Sequence, residues 1–98
     1  MFDLNSLIVS LIAVFWCGRG VLITGATGGI GNCLVRKFSS YNSKILATGT
    51  NEIKLEKLKN EFKDIQVEKF KLNEHSKIED FINNVDTKLG GIDVLVNN

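Results

Sequence analysis

The chain has 98 residues, enough for one small domain, and its 44% apolar and 23% charged residues are typical of a globular protein. The net charge of +1 leaves no strongly basic surface, so a nucleic-acid partner is not expected. Cys17 and Cys33 have no Cys, His or carboxylate neighbour at the spacing of a metal site. We therefore expect no metal and a reduced, cytoplasmic setting.

Residues 1–20 form an atypical apolar N-terminal segment. The run from Leu7 to Cys17 is almost entirely apolar, but it is much shorter than the ~20 residues that span a bilayer. No Lys or Arg precedes it, Asp3 does, and no small-x-small cleavage site follows. Three interpretations stay open: a membrane-associating anchor, an extra buried segment packed on a sheet, or an insertion or frame-altered product of a degraded gene. A membrane partner is not expected.

A strand predicted from Val21 to Thr24 leads into a glycine-rich turn. Glycines follow it at positions 25, 28, 29 and 31, in the spacing T-G-x-x-x-G-x-G, and a helix is predicted from Gly29 to Ser39. Such a turn suits a dinucleotide pyrophosphate, because glycines let the backbone approach the ligand and the helix end offers unpaired N–H groups.

The residues of this turn have separate predicted roles. Gly25 allows the tight turn, Gly29 lets a pyrophosphate come near the helix, and Gly31 lets the helix pack close to the sheet. The loop between them consists of Ala26, Thr27 and Gly28. The hydroxyl of Thr27 can contact a phosphate or brace the loop.

The rest of the chain alternates strands and helices. In the first helix Ile30, Leu34 and Phe38 recur every four residues and are predicted to pack on the sheet. Later strands are predicted over 44–48, 65–70 and 92–96, and later helices over 52–62 and 76–89. This alternation implies parallel βαβ units and an α/β doubly wound sheet.

The T-G-x-x-x-G-x-G spacing, together with D-V-L-V-N-N at positions 93–98, resembles the short-chain dehydrogenase/reductase family, and within it most the 3-oxoacyl-[acyl-carrier-protein] reductases. The resemblance covers about Gly20 to Asn98 and reaches the N-terminal part of such a protein. It implies a Rossmann-like parallel sheet of order 3-2-1-4 that stops after strand four, with the cofactor crevice at the carboxyl ends of strands one and four. Residues 21–98 are thus predicted to form a partial NAD(P)-binding Rossmann domain.

The end of the second strand bears on the choice of cofactor. Gly49, followed by Thr50 and Asn51, stands where NAD-dependent enzymes place a carboxylate that holds the ribose 2′-hydroxyl. Thr50 and Asn51 can donate hydrogen bonds to a 2′-phosphate, and no carboxylate repels it, so NADP is expected rather than NAD. Both residues are also good caps for the second helix, and this alternative stays open.

The resemblance implies further cofactor contacts. Ile30 would lie near the phosphates, the backbone N–H of Leu72 would meet the adenine, and Asn97 and Asn98 match the first two residues of the family's N-N-A-G motif at the ribose. Lys71 stands where the family usually has an Asp for the adenine, and it cannot accept a hydrogen bond. The predicted cofactor-binding set is Gly25, Ala26, Thr27, Gly28, Gly29, Ile30, Gly31, Thr50, Leu72 and Asn98.

By the same resemblance, the parent protein reduces a carbonyl with hydride from NADPH, acts on an acyl-carrier-protein thioester in fatty acid synthesis, and assembles as a homo-oligomer. The family's catalytic Ser, Tyr and Lys have no match in residues 1–98, so no catalytic residue is assigned and the chain is interpreted as the cofactor-binding part. Two alternatives stay open: a non-catalytic product of a truncated or degraded gene, and an interaction module anchored by the apolar run.

Overall fold

The structure, a computed structural model, describes residues 17–71 and 75–97. Most of the apolar N-terminal run lies outside these residues, as do Leu72 and Asn98 of the predicted cofactor set. The described part alternates strands and helices: β1 Gly20–Ile23, α1 Gly29–Ser40, β2 Lys44–Gly49, α2 Glu52–Glu61, β3 Gln66–Lys69, α3 His75–Leu89 and β4 Val94–Val96.

The strands of the described part form one parallel sheet in the order β3-β2-β1-β4. The central strand is β1, where Val21 is aligned with Ile45 of β2 on one side and with Val94 of β4 on the other. The predicted α/β class and strand order are therefore confirmed. The chain runs from β1 outward through β2 to β3 and then crosses to β4 on the other side of β1, so the strand order reverses between β1 and β4.

Both faces of β1 are buried, as its apolar sequence predicts. On one face, Val21 and Ile23 pack in a cluster with Val35 of α1 and Leu58 of α2. On the other face lies Leu22. Its cluster contains three side chains from α3: Phe81, Val85 and Leu89. The sheet is thus the middle layer between α1 and α2 on one side and α3 on the other.

The prediction that Ile30 of α1 lies in the core is wrong. Leu34 and Phe38 pack against the sheet as expected, but the side chain of Ile30 is 70% exposed. Gly31 takes the inward position in the first turn, and Ile30 lies about 100° away from it around the helix axis. Val35, fully buried, completes the inward face instead.

Strands β3 and β4 begin later than predicted because the residues before them bond elsewhere. The N–H of Ile65 donates to the carbonyl of Phe62 at 3.3 Å. The N–H of Ile92 donates to a carboxylate oxygen of Asp86 at 3.0 Å. Neither group is then available for the sheet ladder, and the paired strands start at Gln66 and Val94.

Candidate functional site

The turn after β1 is held by backbone hydrogen bonds. Gly25 has φ +60°, a left-handed conformation that favours glycine. The N–H of Ala26 then donates to the carbonyl of Thr48 on β2 at 3.1 Å, and the N–H of Gly28 donates back to the carbonyl of Gly25 at 3.3 Å. The side chain of Ala26 is fully buried in the core, so this residue could meet a ligand only through its backbone.

Gly31 and Gly29 differ in the space around them. A Cβ at Gly31 would collide with the carbonyl oxygen of Gly25 and lie 2.6 Å from the Cα of Ala26. The close approach at Gly31 is therefore to the turn itself, whereas the sequence suggested an approach to the sheet. A Cβ at Gly29 would meet no atom within 4 Å. Open space thus lies over the first turn of α1, where a phosphate could sit.

The N-terminus of α1 is suited to an anion. Its N-cap, Gly28, has an extended backbone and supplies no side-chain hydrogen bond, and the first turn contains no acidic residue. The N–H groups at a helix start lack intrahelical partners and carry the positive end of the helix dipole. Ile30 faces outward at this position, beside Gly29. The exposure that makes Ile30 a poor core residue is compatible with its predicted place near the phosphates.

A crevice lies beside this turn, at the carboxyl ends of β1 and β2. It has a volume of about 190 Å³ and is lined by Thr24, Gly25, Thr27, Thr48, Gly49, Thr50 and Phe70. The side chain of Thr48 is 1% exposed, and its hydroxyl has no hydrogen-bond partner within the described residues. A buried hydroxyl without a partner costs free energy, so a ligand that bonded it would recover that cost.

The end of β4 is tied to the same crevice. The hydroxyl of Thr24 lies 3.0 Å from the side-chain oxygen Oδ1 of Asn97 and 3.3 Å from the carbonyl of Val96. The N–H of Thr24 also donates to the carbonyl of Val96 at 3.0 Å. These bonds hold the turn after β1 against the end of β4, so Asn97 reaches the crevice wall through Thr24.

The end of β2 supports the capping interpretation. Asn51 is the N-cap of α2, and its side-chain oxygen accepts a hydrogen bond from the N–H of Lys54 at 3.1 Å. Thr50 lines the crevice instead. The two residues, for which the sequence analysis gave the same pair of possible roles, therefore have different roles in the structure. Asn51 caps the start of α2, and Thr50 lines the crevice.

Thr48 and Phe70 are among the crevice residues that were not predicted as site residues. The sequence contained a signal for Thr48. It lies two residues after Leu46 on β2 and so on the same face of the sheet, at the carboxyl end of the strand, where ligands bind. Phe70 follows β3, and its ring stacks on that of Phe81 with centroids 4.0 Å apart. This contact joins α3 to the crevice wall, and nothing in the local sequence indicates it.

Within residues 17–71 and 75–97 no group of three or more His, Cys, Asp or Glu side chains could hold a metal ion. None of the helices in that same part of the chain is both long and apolar enough to cross a membrane.

Known proteins resemble the chain in both sequence and structure. The sequence model of the family described as short chain dehydrogenase matches residues 19–98. The chain is 35% identical over 79 residues to NADP-dependent 3-hydroxy acid dehydrogenase YdfG of Escherichia coli (strain K12), a match that covers 80% of the chain and 32% of that protein. It is 40% identical over 81 residues to 3-oxoacyl-[acyl-carrier-protein] reductase FabG of Rickettsia typhi (strain ATCC VR-144 / Wilmington), covering 83% of the chain and 32% of the relative.

A solved structure shows the same fold. The crystal structure of 3-ketoacyl-(acyl-carrier-protein) reductase from Brucella melitensis, complexed with NADH, superposes with a TM-score of 0.73 and 20% sequence identity. The match covers 81% of this chain and 33% of that one. The chain thus spans about a third of the length of the proteins that it resembles.

Proposed function

This chain belongs to the short chain dehydrogenase family, and from that premise we propose that it is the NADP-binding part of an oxidoreductase that reduces a 3-oxoacyl group. The observation that carries the proposal is the turn from Thr24 to Gly31. It combines a left-handed glycine, a helix N-terminus without side-chain cap or acidic residue, and open space over Gly29. These are the requirements for seating a pyrophosphate on backbone N–H groups.

The lining of the crevice also supports the proposal, because it suits the adenosine side of a dinucleotide. Thr48 and Thr50 supply hydroxyls, Phe70 supplies an aromatic ring, and none of the described residues that line the crevice carries a carboxylate. The unpartnered hydroxyl of Thr48 is the strongest sign that a polar ligand belongs there. When bound, the cofactor would supply hydride, and the residues of this chain would hold and orient its adenosine and phosphates.

The preference for NADP rests on charge. At the end of β2 stand Gly49, Thr50 and Asn51, and none of them carries the negative charge that would repel a 2′-phosphate. The relative from E. coli is named as NADP-dependent. The structural neighbour from Brucella melitensis is complexed with NADH, and titration with both nucleotides measures which of them this chain prefers.

The substrate class follows from the relatives. One is named for a 3-oxoacyl group on acyl carrier protein, and the other for 3-hydroxy acids, which are the reduced counterparts of 3-oxo acids. We propose the first substrate for the parent protein of this chain, as a step of fatty acid synthesis in the cytoplasm by a homo-oligomer. The reaction of either class transfers hydride to or from carbon 3.

Two experiments test this function. The 98-residue chain is titrated with NADPH and with NADH, and binding is followed by nucleotide fluorescence and by calorimetry. Saturable binding with a preference for NADPH is expected, and failure to bind either nucleotide would refute the proposal. A longer reading frame containing this chain is then assayed with a 3-oxoacyl thioester and a 3-hydroxy acid. If only the 3-hydroxy acid is turned over, the substrate is a 3-hydroxy acid and the proposed 3-oxoacyl thioester is wrong.

A further inference from the structure

A second cavity lies beside the crevice, where β3 ends and α3 begins. It has a volume of about 410 Å³ and is lined by Lys69, Phe70, Lys71 and Lys77. Lys69 is the last residue of β3, and Lys77 lies in the first turn of α3. Phe70 also lines the crevice, so the two spaces share this residue as a wall. We call the space defined by these four residues the lysine cavity.

The lysine cavity is lined by positive charge. Three of its four lining residues are lysines, and none of the four carries a carboxylate. No ion pair joins Lys69 or Lys71 to a carboxylate of the residues that the structure describes. The first turn of α3 contains no acidic residue, and the positive end of the helix dipole lies there. Charges of one sign thus surround one space, an arrangement that a bound anion would stabilise.

The charge at position 71 departs from the pattern of the family, which usually has an Asp there. A carboxylate at this position would balance one of the other two lysines. Lys71 instead adds a third positive charge to the lining. A single phosphate group carries about two negative charges near neutral pH, so three lysines match more than one phosphate group.

We propose that the lysine cavity binds a small molecule with two or more phosphate groups, at a site separate from the cofactor crevice. Each ammonium group can donate up to three hydrogen bonds to phosphate oxygens. The cavity is about twice as large as the crevice, whose volume is about 190 Å³, and so has room for such a ligand. Because Lys71 is the departure from the family, the site is specific to this chain and is additional to the proposed function.

The shared wall allows both spaces to be occupied together. The ring of Phe70 lies nearly parallel to that of Phe81, with centroids 4.0 Å apart. This stacking holds Phe70 against α3. Since the same fixed side chain lines both spaces, a ligand in the lysine cavity leaves the crevice open, and a polyphosphate and NADPH are expected to bind at the same time.

The test titrates the full 98-residue chain with inorganic tripolyphosphate at low ionic strength, with and without saturating NADPH, and follows binding by calorimetry. Saturable binding is expected under both conditions, and rising salt should weaken it. Lys69→Ala is expected to weaken it about fivefold, as for an exposed ion pair. Lys71→Asp, which restores the residue usual in the family, should weaken it about 10-fold or more, because repulsion replaces attraction.

Lys63→Ala is the matched control. It removes the same charge from an exposed position before β3, at the opposite end of that strand, and should leave the affinity for tripolyphosphate unchanged. Thermal unfolding of each variant checks that the fold is intact.

Three results would overturn the inference. These are an absence of saturable binding at low salt, equal affinity of Lys71→Asp and the unaltered chain, and displacement of tripolyphosphate by NADPH, which would place the polyphosphate at the glycine-rich turn. Failure of the chain to bind NADPH would refute the proposed function alone. The comparison of the lysine variants would then still decide whether tripolyphosphate binds in the lysine cavity.

Discussion

Asp93 holds Gly20 by two hydrogen bonds, although 73 positions separate them. The carboxylate of Asp93 accepts the N–H of Gly20 at 2.8 Å, and the N–H of Asp93 donates to the carbonyl of Gly20 at 2.8 Å. Gly20 is buried and packs so closely on Gly91 that a Cβ would collide with the Gly91 carbonyl oxygen. This pair fixes β4 beside β1 at the end of the sheet opposite the crevice.

Replacing Asp93 by Ala should therefore destabilise the fold. It leaves the buried N–H of Gly20 without its acceptor, and we expect a loss of about 1–3 kcal/mol in the free energy of unfolding. Urea denaturation followed by far-UV circular dichroism measures this loss. Asp80→Ala, on the exposed side of α3, is the matched control and should change stability little. Equal stabilities for the two variants would contradict the assigned role of Asp93.

Two glycine substitutions should separate packing from ligand binding. Gly31→Ala forces the turn after Gly25 to move, and we expect destabilisation of about 1–3 kcal/mol from overpacking. Gly29→Ala meets open space, so its fold should be intact, while its methyl group intrudes on the proposed pyrophosphate position and weakens binding. The midpoint of thermal unfolding and the affinity for NADPH are measured for both variants and compared with those of the unaltered chain. Normal NADPH affinity in Gly29→Ala would place the pyrophosphate elsewhere.

Thr48→Val tests whether the unpartnered hydroxyl serves a ligand. The two side chains are similar in shape, so removing a buried hydroxyl without a partner should leave stability equal or raise it by about 1 kcal/mol. Nucleotide affinity should fall, because the proposed ligand loses a hydrogen bond. Calorimetric titration measures the affinity, with Thr87→Val on the exposed side of α3 as control. A variant that gains stability and keeps full affinity would show that the hydroxyl serves no nucleotide.

Thr50→Asp should reverse the preference between the two cofactors. Thr50 is exposed and lines the crevice, so a carboxylate is tolerated there, where it can accept from a ribose 2′-hydroxyl and repel a 2′-phosphate. We expect NADPH binding to weaken about 10-fold or more and NADH binding to be maintained or improved. Thr50→Asn, which has the same size without the charge, is the comparison. A parallel change for both nucleotides would indicate that Thr50 lies away from the 2′ position.

Local pattern was sufficient for the elements and for the turn. The apolar β1 sequence, the glycine spacing and the periodic helices predicted, to within two residues, every element boundary that the structure describes. The strand order was implied by the resemblance to the family, and the structure confirms it. The predicted place of Ile30 in the core was wrong because a repeat of four residues fits a helix only approximately, and Gly31, which has no apolar side chain to mark it, occupies the inward position.

The surroundings of the cavity between α1 and α2, which is lined by Thr27, Asn32, Lys54, Lys57, Leu58 and Glu61, could not be predicted in the same way. The neutralisation of Glu61 depends on Arg36, which lies 25 positions away on another helix. In the sequence, Lys54 and Lys57 resemble any lysines on the wet face of an amphipathic helix. They line a cavity beside a neutralised carboxylate only because α1 and α2 pack side by side on the sheet. The partner of a charge is thus a property of tertiary packing, and local spacing carries little information about it.

The position of β1 between β2 and β4 has a consequence for biosynthesis. β1 is the first strand of the described part, and its neighbours are β2, which follows soon after, and β4, the last strand of that part. At a translation rate of about 5–20 residues per second, roughly 4–15 s separate the synthesis of β1 from that of its second neighbour. During that interval one edge of β1, a strand buried along its whole length, has no native partner. That edge becomes paired only after Asp93 has been made and can bond Gly20.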